Sequence, residues 1–363
     1  AESLRYARYL SNLEKFSTAE SVLVEALRLV PGNVSVLVAL GGIYVATEDW
    51  PRAEQVIATL GRLGTPLASE QGAQLNLRFL QAQQRFADVG VFLGDLVAGG
   101  SNAFGAKMAI VRNYLSENDN GAARSYVAEL LTDTPDDFRV QFLDAAIDAA
   151  DGDFGTAEAK YRAILALNDQ IPQVWVALFQ AQTVGGKPDA AAATIDKALE
   201  VFPDLPTLKW IKAGVLEKSG DVDGAIAIYE VMYAQNSNNL VVANNLASLL
   251  STSREDAETI DRANTIARRL RSSNVAQFQD TYGWIAYLRG DYEEALRSLK
   301  PAAAVMDTDP LVQYHLALAY LASDLKSEAI DAFRRVGALT GAGDSRDFVE
   351  LSRTEVVRLL AEP

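Results

Sequence analysis

The sequence predicts an all-α chain: an α-solenoid of about ten helical hairpins, closed by a C-terminal helix. Three features point there. Alanine is abundant, proline is sparse at 11 residues and alternating β-branched patterns are rare, so helix is favoured throughout. A small residue followed by apolar residues at every third or fourth place recurs about every 34 positions from Ala19 to Ala329. Turn signals fall between these stretches, above all Gly152-Asp153, Gly220-Asp221 and Gly290-Asp291. With 363 residues the chain exceeds one ordinary domain, and an array of repeats accounts for the length.

The hairpins can be followed in order by the alanine that heads each second helix. Ala19, Ala53 and Ala87 are 34 apart, and Ala123 follows after 36. Ala123, Ala157, Ala191 and Ala225 are again 34 apart; Ala263 comes 38 later, Ala295 32 after that, and Ala329 a further 34. Small residues such as Gly41, Gly283, Ala295, Ala317 and Ala329 let helix axes approach closely, while Tyr44, Tyr229, Tyr320 and Phe333 fill the space beside them. In each Gly-Asp turn the glycine relieves one helix end and the aspartate caps the next helix. Pro31, Pro135 and Pro203 stand where a unit ends. The array covers residues 1–342 and departs from its pattern twice. Residues 61–100 form an irregular repeat that keeps only Ala87, and residues 251–262 form a lengthened turn. Residues 343–363 lack the pattern and read as a capping helix with a polar outer face.

The best copies carry Leu37, Leu40, Gly41, Tyr44, Ala53 and Ile57; Trp175, Leu178, Ala191, Ile195, Ala198 and Pro203; and Leu316, Ala317, Tyr320, Ala329 and Phe333. This resembles the tetratricopeptide repeat, W-x2-L-G-x2-Y, then A-x3-F, then P. The resemblance implies a right-handed superhelix whose first helices line a concave face. The last third, with "NNLASLL", a long acidic turn, "DTYGWIAYLRGDYEEAL" and "YHLALAY", resembles the C-terminal repeats of bacterial tetratricopeptide proteins of PEP-CTERM/exosortase exopolysaccharide systems, many of them lipoproteins. That implies a scaffold of the bacterial envelope, periplasmic or membrane-associated, with the cytoplasm as the alternative. The sequence has no cysteine to bear a lipid.

Other chemistries find little support. The formal charge is −15 and the nearest approach to a basic run is "RRLR" at Arg268–Arg271, expected on a helix, so nucleic acid is not an expected partner. Without cysteine there is no disulfide framework, thiol catalysis or thiolate metal site. No apolar run approaches the roughly 18 residues of a membrane span. The sequence begins at Ala1 with neither Met nor a signal peptide, and reads as a mature or trimmed fragment. The acidic turns at Asp151–Asp153 and Glu117–Asn120 lack the spacing of a calcium loop. His315, the only histidine, is expected in the groove or at the surface and has no second ligand or triad partner in the pattern. Neither a phosphate loop nor a dinucleotide fingerprint is present, so no cofactor and no enzymatic activity are expected.

The family's groove positions select Trp210, Asn244, Ser248, Asp280, Trp284, Tyr287, Tyr314 and Leu318, with Leu321 beside them. Asp280, Trp284 and Tyr287 stand at i, i+4 and i+7, on one helical face. Trp and Tyr beside hydrogen-bonding Asn and Asp is a hot-spot composition; the competing reading is that the rings pack within or between repeats. A carboxylate clamp for peptide C-termini is incomplete: Lys209, Lys212 and Asn245 fit, but Gln277 and Thr281 occupy the places of its Lys and Arg. The expected function is a non-enzymatic scaffold binding a protein or peptide in the groove. The alternative is the regulatory or substrate-recruiting array of an enzyme whose catalytic domain lies elsewhere. Oligomeric state is left open.

Overall fold

Among the described residues every regular element is helical. The structure, a computed structural model, describes residues 2–100, 103–253, 256–341 and 343–361. The chain divides into two compact units, Ala1–Lys187 and Pro188–Pro363.

The first unit pairs α1 (Glu2–Asn12) with α2 (Phe16–Leu29), α3 (Val34–Ala46) with α4 (Trp50–Leu63), and α5 (Pro66–Ala82) with α6 (Phe86–Ala98). It continues with α7 (Ala103–Ser116) and α8 (Asn120–Asp133), then α9 (Phe138–Ala150) and α10 (Phe154–Leu167), and ends with α11 (Pro172–Val184). The second unit starts with α12 (Pro188–Val201), followed by α13 (Pro206–Ser219) and α14 (Val222–Gln235), and by α15 (Leu240–Ser253) and α16 (Ala257–Ala267). It closes with α17 (Ala276–Leu288) and α18 (Tyr292–Val305), α19 (Pro310–Ala322) and α20 (Lys326–Leu339), and the single α21 (Asp347–Ala361). In chain order this is the expected ten pairs and a terminal helix.

One turn recurs between paired helices. The residue five places before the ladder alanine has positive φ: Glu14 57°, Glu48 57°, Asn118 57°, Gly152 81°, Gly186 73°, Gly220 83°, Gly290 79° and Asp324 58°. The next residue starts the second helix, and where it is aspartate it caps it. Asp153 accepts from the Thr156 amide at 3.0 Å, Asp221 from Gly224 at 2.9 Å and Asp291 from Glu294 at 3.3 Å. The ladder alanines Ala19, Ala53, Ala123, Ala157, Ala225, Ala263, Ala295 and Ala329 are all fully buried, because each faces the preceding helix at close range.

The same turn corrects the third repeat. Ala87 is exposed, whereas Val89 is fully buried, and Gln84, five before Val89, has φ 55°. The ladder therefore runs Ala53, Val89, Ala123. The two extra residues precede Val89, and α5, at 17 residues, is the longest helix among those described. Leu75 on α5 occupies the volume that Gly41 on α3 leaves: a Cβ at Gly41 would lie 2.3 Å from Leu75 Cδ2. A bulky residue is thus accommodated by a missing side chain on the neighbouring repeat.

Two further expectations change. "RRLR" does not continue a helix: α16 gives way to a 3-10 turn at Arg268–Leu270, which buries Leu270 and turns the arginines outward. Of the lengthened turn, residues 254–255 lie outside the described residues, as do residues 342 and 362–363 near the terminal helix. α21 packs on α20 through Leu359 and also buries Val349, but its outer face is not polar. Leu351, Val357 and Leu360 are exposed, because apolar residues occur on every side of this helix and only one side meets α20.

Candidate functional site

Along α17 the buried residues Thr281, Tyr282, Gly283, Ile285 and Ala286 hold the helix against its neighbours. Gly283 makes this possible, since Leu299 of α18 lies where a side chain would project. Asp280, Trp284 and Tyr287 are left half-buried on the adjoining face, as their i, i+4, i+7 spacing predicts.

His315 on α19 joins them. It is 5 % exposed, which corrects the expected groove or surface position. Its Nδ1–H donates to Asp280 Oδ1 at 2.9 Å, and its ring stacks on Trp284 with centroids 4.2 Å apart and planes 17° apart. Trp284 also stacks on Tyr287 at 5.1 Å and 16°. Tyr314 lies beside this stack, 6.5 Å from the His315 ring, 6.2 Å from Phe333 and 5.6 Å from Phe348 of α21. Burial first, then Tyr292, raises the Tyr287 hydroxyl above its ordinary range; Tyr314 is raised by burial, then by Tyr287 and Glu355. Both phenols therefore stay protonated and able to donate. The Trp284 indole N–H is buried and has no hydrogen-bond partner among the described residues, a deficit of about 1–3 kcal/mol for a desolvated donor.

Trp210 and Asn244 belong to a different cluster. Trp210 on α13 meets Tyr229 edge-on at 5.7 Å and 69°. The Asn244 amide donates to Asn245 Oδ1 at 3.3 Å, leaving Asn244 Oδ1 without a partner among the described residues. Asn245 donates to the Tyr229 hydroxyl at 3.1 Å, which donates to Glu217 at 2.7 Å. Burial, with Glu217 adding to it and Asn245 opposing it, pushes Tyr229 to about 12. Asn245 thus serves a core tyrosine. Ser248 is half-buried and its hydroxyl forms no hydrogen bond among the described residues, while Leu318 and Leu321 pack onto the Phe333 core.

The structure thus places Asp280, Trp284 and Tyr287 on one face with Tyr314 nearby, sets Trp210 and Asn244 apart from them, and adds His315, which the sequence reading did not join to Asp280 and Trp284. The signal was available: His315 lies 35 residues after Asp280, close to one repeat, so the two come level on successive first helices. In the first unit, α5, α6 and α7 enclose a cavity of about 610 Å³ floored by Leu77, Phe92 and Leu96, where no site was expected. Among the described residues no group of three His, Asp or Glu is placed to hold a metal, and no helix is long and apolar enough to cross a membrane.

Residues 176–239 and 256–342 match the sequence profile of the tetratricopeptide repeat. Over those two stretches, less than half of its length, the chain is similar to tetratricopeptide repeats. Among solved structures it resembles the APC/C hetero-tetramer Cut9–Hcn1, with 14% identity over 98% of this chain and 74% of that one, at a TM-score of 0.51. A thermophilic tetratricopeptide repeat protein of Thermus thermophilus matches at 22% identity, covering 52% of this chain and 100% of its own, with a TM-score of 0.40. One from Parabacteroides merdae matches at 16%, covering 68% and 96%, with a TM-score of 0.43. At such identities only the fold is shared. No curated protein matches the chain.

Proposed function

We propose that the tetratricopeptide repeats form a non-enzymatic scaffold that holds a protein or peptide segment against α17 and α19. Repeat arrays present extended surfaces suited to such partners. The observation that carries the reading is the Tyr287–Trp284–His315 stack, half-exposed at Trp284 and Tyr287 and flanked by Tyr314. Rings prefixed by stacking lose little entropy when a partner covers them, and Trp and Tyr dominate binding hot spots. The wording of the last third supports placing this scaffold in a bacterial envelope or exopolysaccharide system.

Trp284→Ala combined with Tyr287→Ala tests the site, with capture of partners from the native organism as the assay. Two hot-spot truncations at roughly 1–2 kcal/mol each should weaken capture by more than about tenfold with helicity unchanged. Undiminished capture refutes the site. Loss of helicity shows that the rings serve packing alone. Recovery of envelope or polysaccharide-export components, rather than cytosolic ones, tests the placement.

A further inference from the structure

A second cavity, of about 440 Å³, lies where α16 breaks into its 3-10 turn and meets α17 and α18. Its walls are polar: Asn264, Arg268, Arg271, Tyr282, Arg289, Asp291 and Glu294. Two features of this wall call for a ligand. Asn264 is 8 % exposed, lines the cavity and has no hydrogen-bond partner for its side-chain amide among the described residues. Its amide opens onto the cavity, where a ligand can take up its hydrogen-bonding capacity. Arg268 has no carboxylate partner among the described residues, in a chain of formal charge −15.

The carboxylates in the wall are already engaged. Glu294, itself buried, takes the Arg271 guanidinium through Nε at 2.8 Å and Nη2 at 3.3 Å and is also paired with Arg297. Asp291 caps α18. Arg289 uses Nε on Asp261 at 2.9 Å and retains its two terminal nitrogens as donors. With Arg271 on Glu294 and Arg289 on Asp261, Arg268 is the guanidinium of this wall left without a carboxylate among the described residues. The Tyr282 hydroxyl, held protonated by burial and by Glu294, is turned to the Glu294 carboxylate.

We propose that this cavity binds a phosphate group. The donors of Arg268, Asn264 and Arg289 come from the 3-10 turn, α16 and the end of α17, and suit the several oxygens of a tetrahedral oxyanion better than the two of a carboxylate; guanidinium forks match phosphate geometry. The cavity has the size of a small-molecule site, with room for more than the phosphate alone. The phosphate is borne either by a small molecule or by a phosphorylated side chain of a partner.

Calorimetric titration of the intact chain tests this with inorganic phosphate, a sugar phosphate and a phosphoserine peptide, each beside its unphosphorylated counterpart. At least one phosphorylated probe should bind, and Arg268→Ala should weaken it by roughly tenfold or more. Asn264→Ala should weaken it as well, and Arg334→Ala, on the distant α20, should not. A preference for the peptide identifies a partner side chain as the source, and a preference for the sugar phosphate identifies a small molecule. Absence of binding by every phosphorylated probe at millimolar concentration overturns the proposal, as does binding unchanged by Arg268→Ala. Arg268 is exposed, so this variant reads out binding even where Asn264→Ala disturbs folding.

Discussion

Gly283→Ala and Gly214→Ala make the same chemical change on two first helices, and the structure assigns them opposite signs. In an open helical position, alanine in place of glycine is worth about 1 kcal/mol of stability. Gly214 on α13 is such a position, with nothing within 4 Å of a Cβ. At Gly283 the added Cβ would lie 2.7 Å from Leu299 Cγ, 3.1 Å from Leu299 Cδ2 and 3.1 Å from Ser298 Cβ. Carbon atoms pack best about 3.5–4.0 Å apart, so α18 must retreat or Leu299 must leave its rotamer. Leu299 is fully buried, leaving it little room to do so. Overpacking of this kind costs about 1–3 kcal/mol, which cancels or exceeds the helix gain. Gly283→Ala should therefore be neutral to destabilising by about 2 kcal/mol, and Gly214→Ala stabilising by up to about 1. Urea unfolding followed by circular dichroism gives the sign of each. Hydrogen exchange should show faster opening confined to α17, α18 and their neighbours, since a repeat contacts only adjacent repeats. Equal stabilisation by both substitutions would refute the assigned helix contact.

The turns and the buried ion pair give two more tests. Gln84 holds φ 55°, a conformation unfavourable by about 1–2 kcal/mol for a residue with a side chain. Glycine's greater freedom in the unfolded chain offsets part of that, so Gln84→Gly should stabilise by a few tenths to about 1 kcal/mol, and Gly220→Ala, at φ 83°, should do the reverse; a thermal melt showing the same sign for both sinks the turn assignment. Glu294 is pushed up by burial, but hydrogen bonding and charge from Arg271, with Arg297, outweigh this and hold its carboxyl below the ordinary 4.5. A depressed carboxylate stabilises the fold above its unfolded pKa and loses that contribution as pH falls through the folded value. Glu294→Gln should thus destabilise by on the order of 1–3 kcal/mol at neutral pH, with the gap to the parent closing below about pH 4.5; calorimetry showing a constant gap from pH 7 to pH 3 would contradict this.

Much of the array is local grammar and was legible as such. A positive-φ residue, a capping aspartate and a small residue five places after the turn define a hairpin within about ten positions, so Gly152, Gly220 and Gly290 marked their turns without knowledge of any partner helix. The lateral grouping of Asp280, Trp284 and Tyr287 followed from helical periodicity alone. Where glycine was replaced in the turn, as by Gln84, the mark vanished, and an alanine two places early took the ladder position that Val89 holds.

Residues 34 or so apart in the chain become neighbours only when repeats stack, and that is where tertiary structure decided the outcome. It turned His315 from an expected groove or surface residue into the buried partner of Asp280 and Trp284. It assigned Asn245 to a core tyrosine and left Leu75 to fill the space vacated by Gly41. It also converted "RRLR" from a stripe on a helix into one wall of a polar cavity, because the 3-10 turn re-aims each side chain. Sequence by itself determined where each helix begins and which stripe it buries, since those depend on dihedral preference and periodicity within one hairpin. Which side chains meet across hairpins depends on volumes and hydrogen-bond partners supplied by another repeat, and no single repeat encodes them.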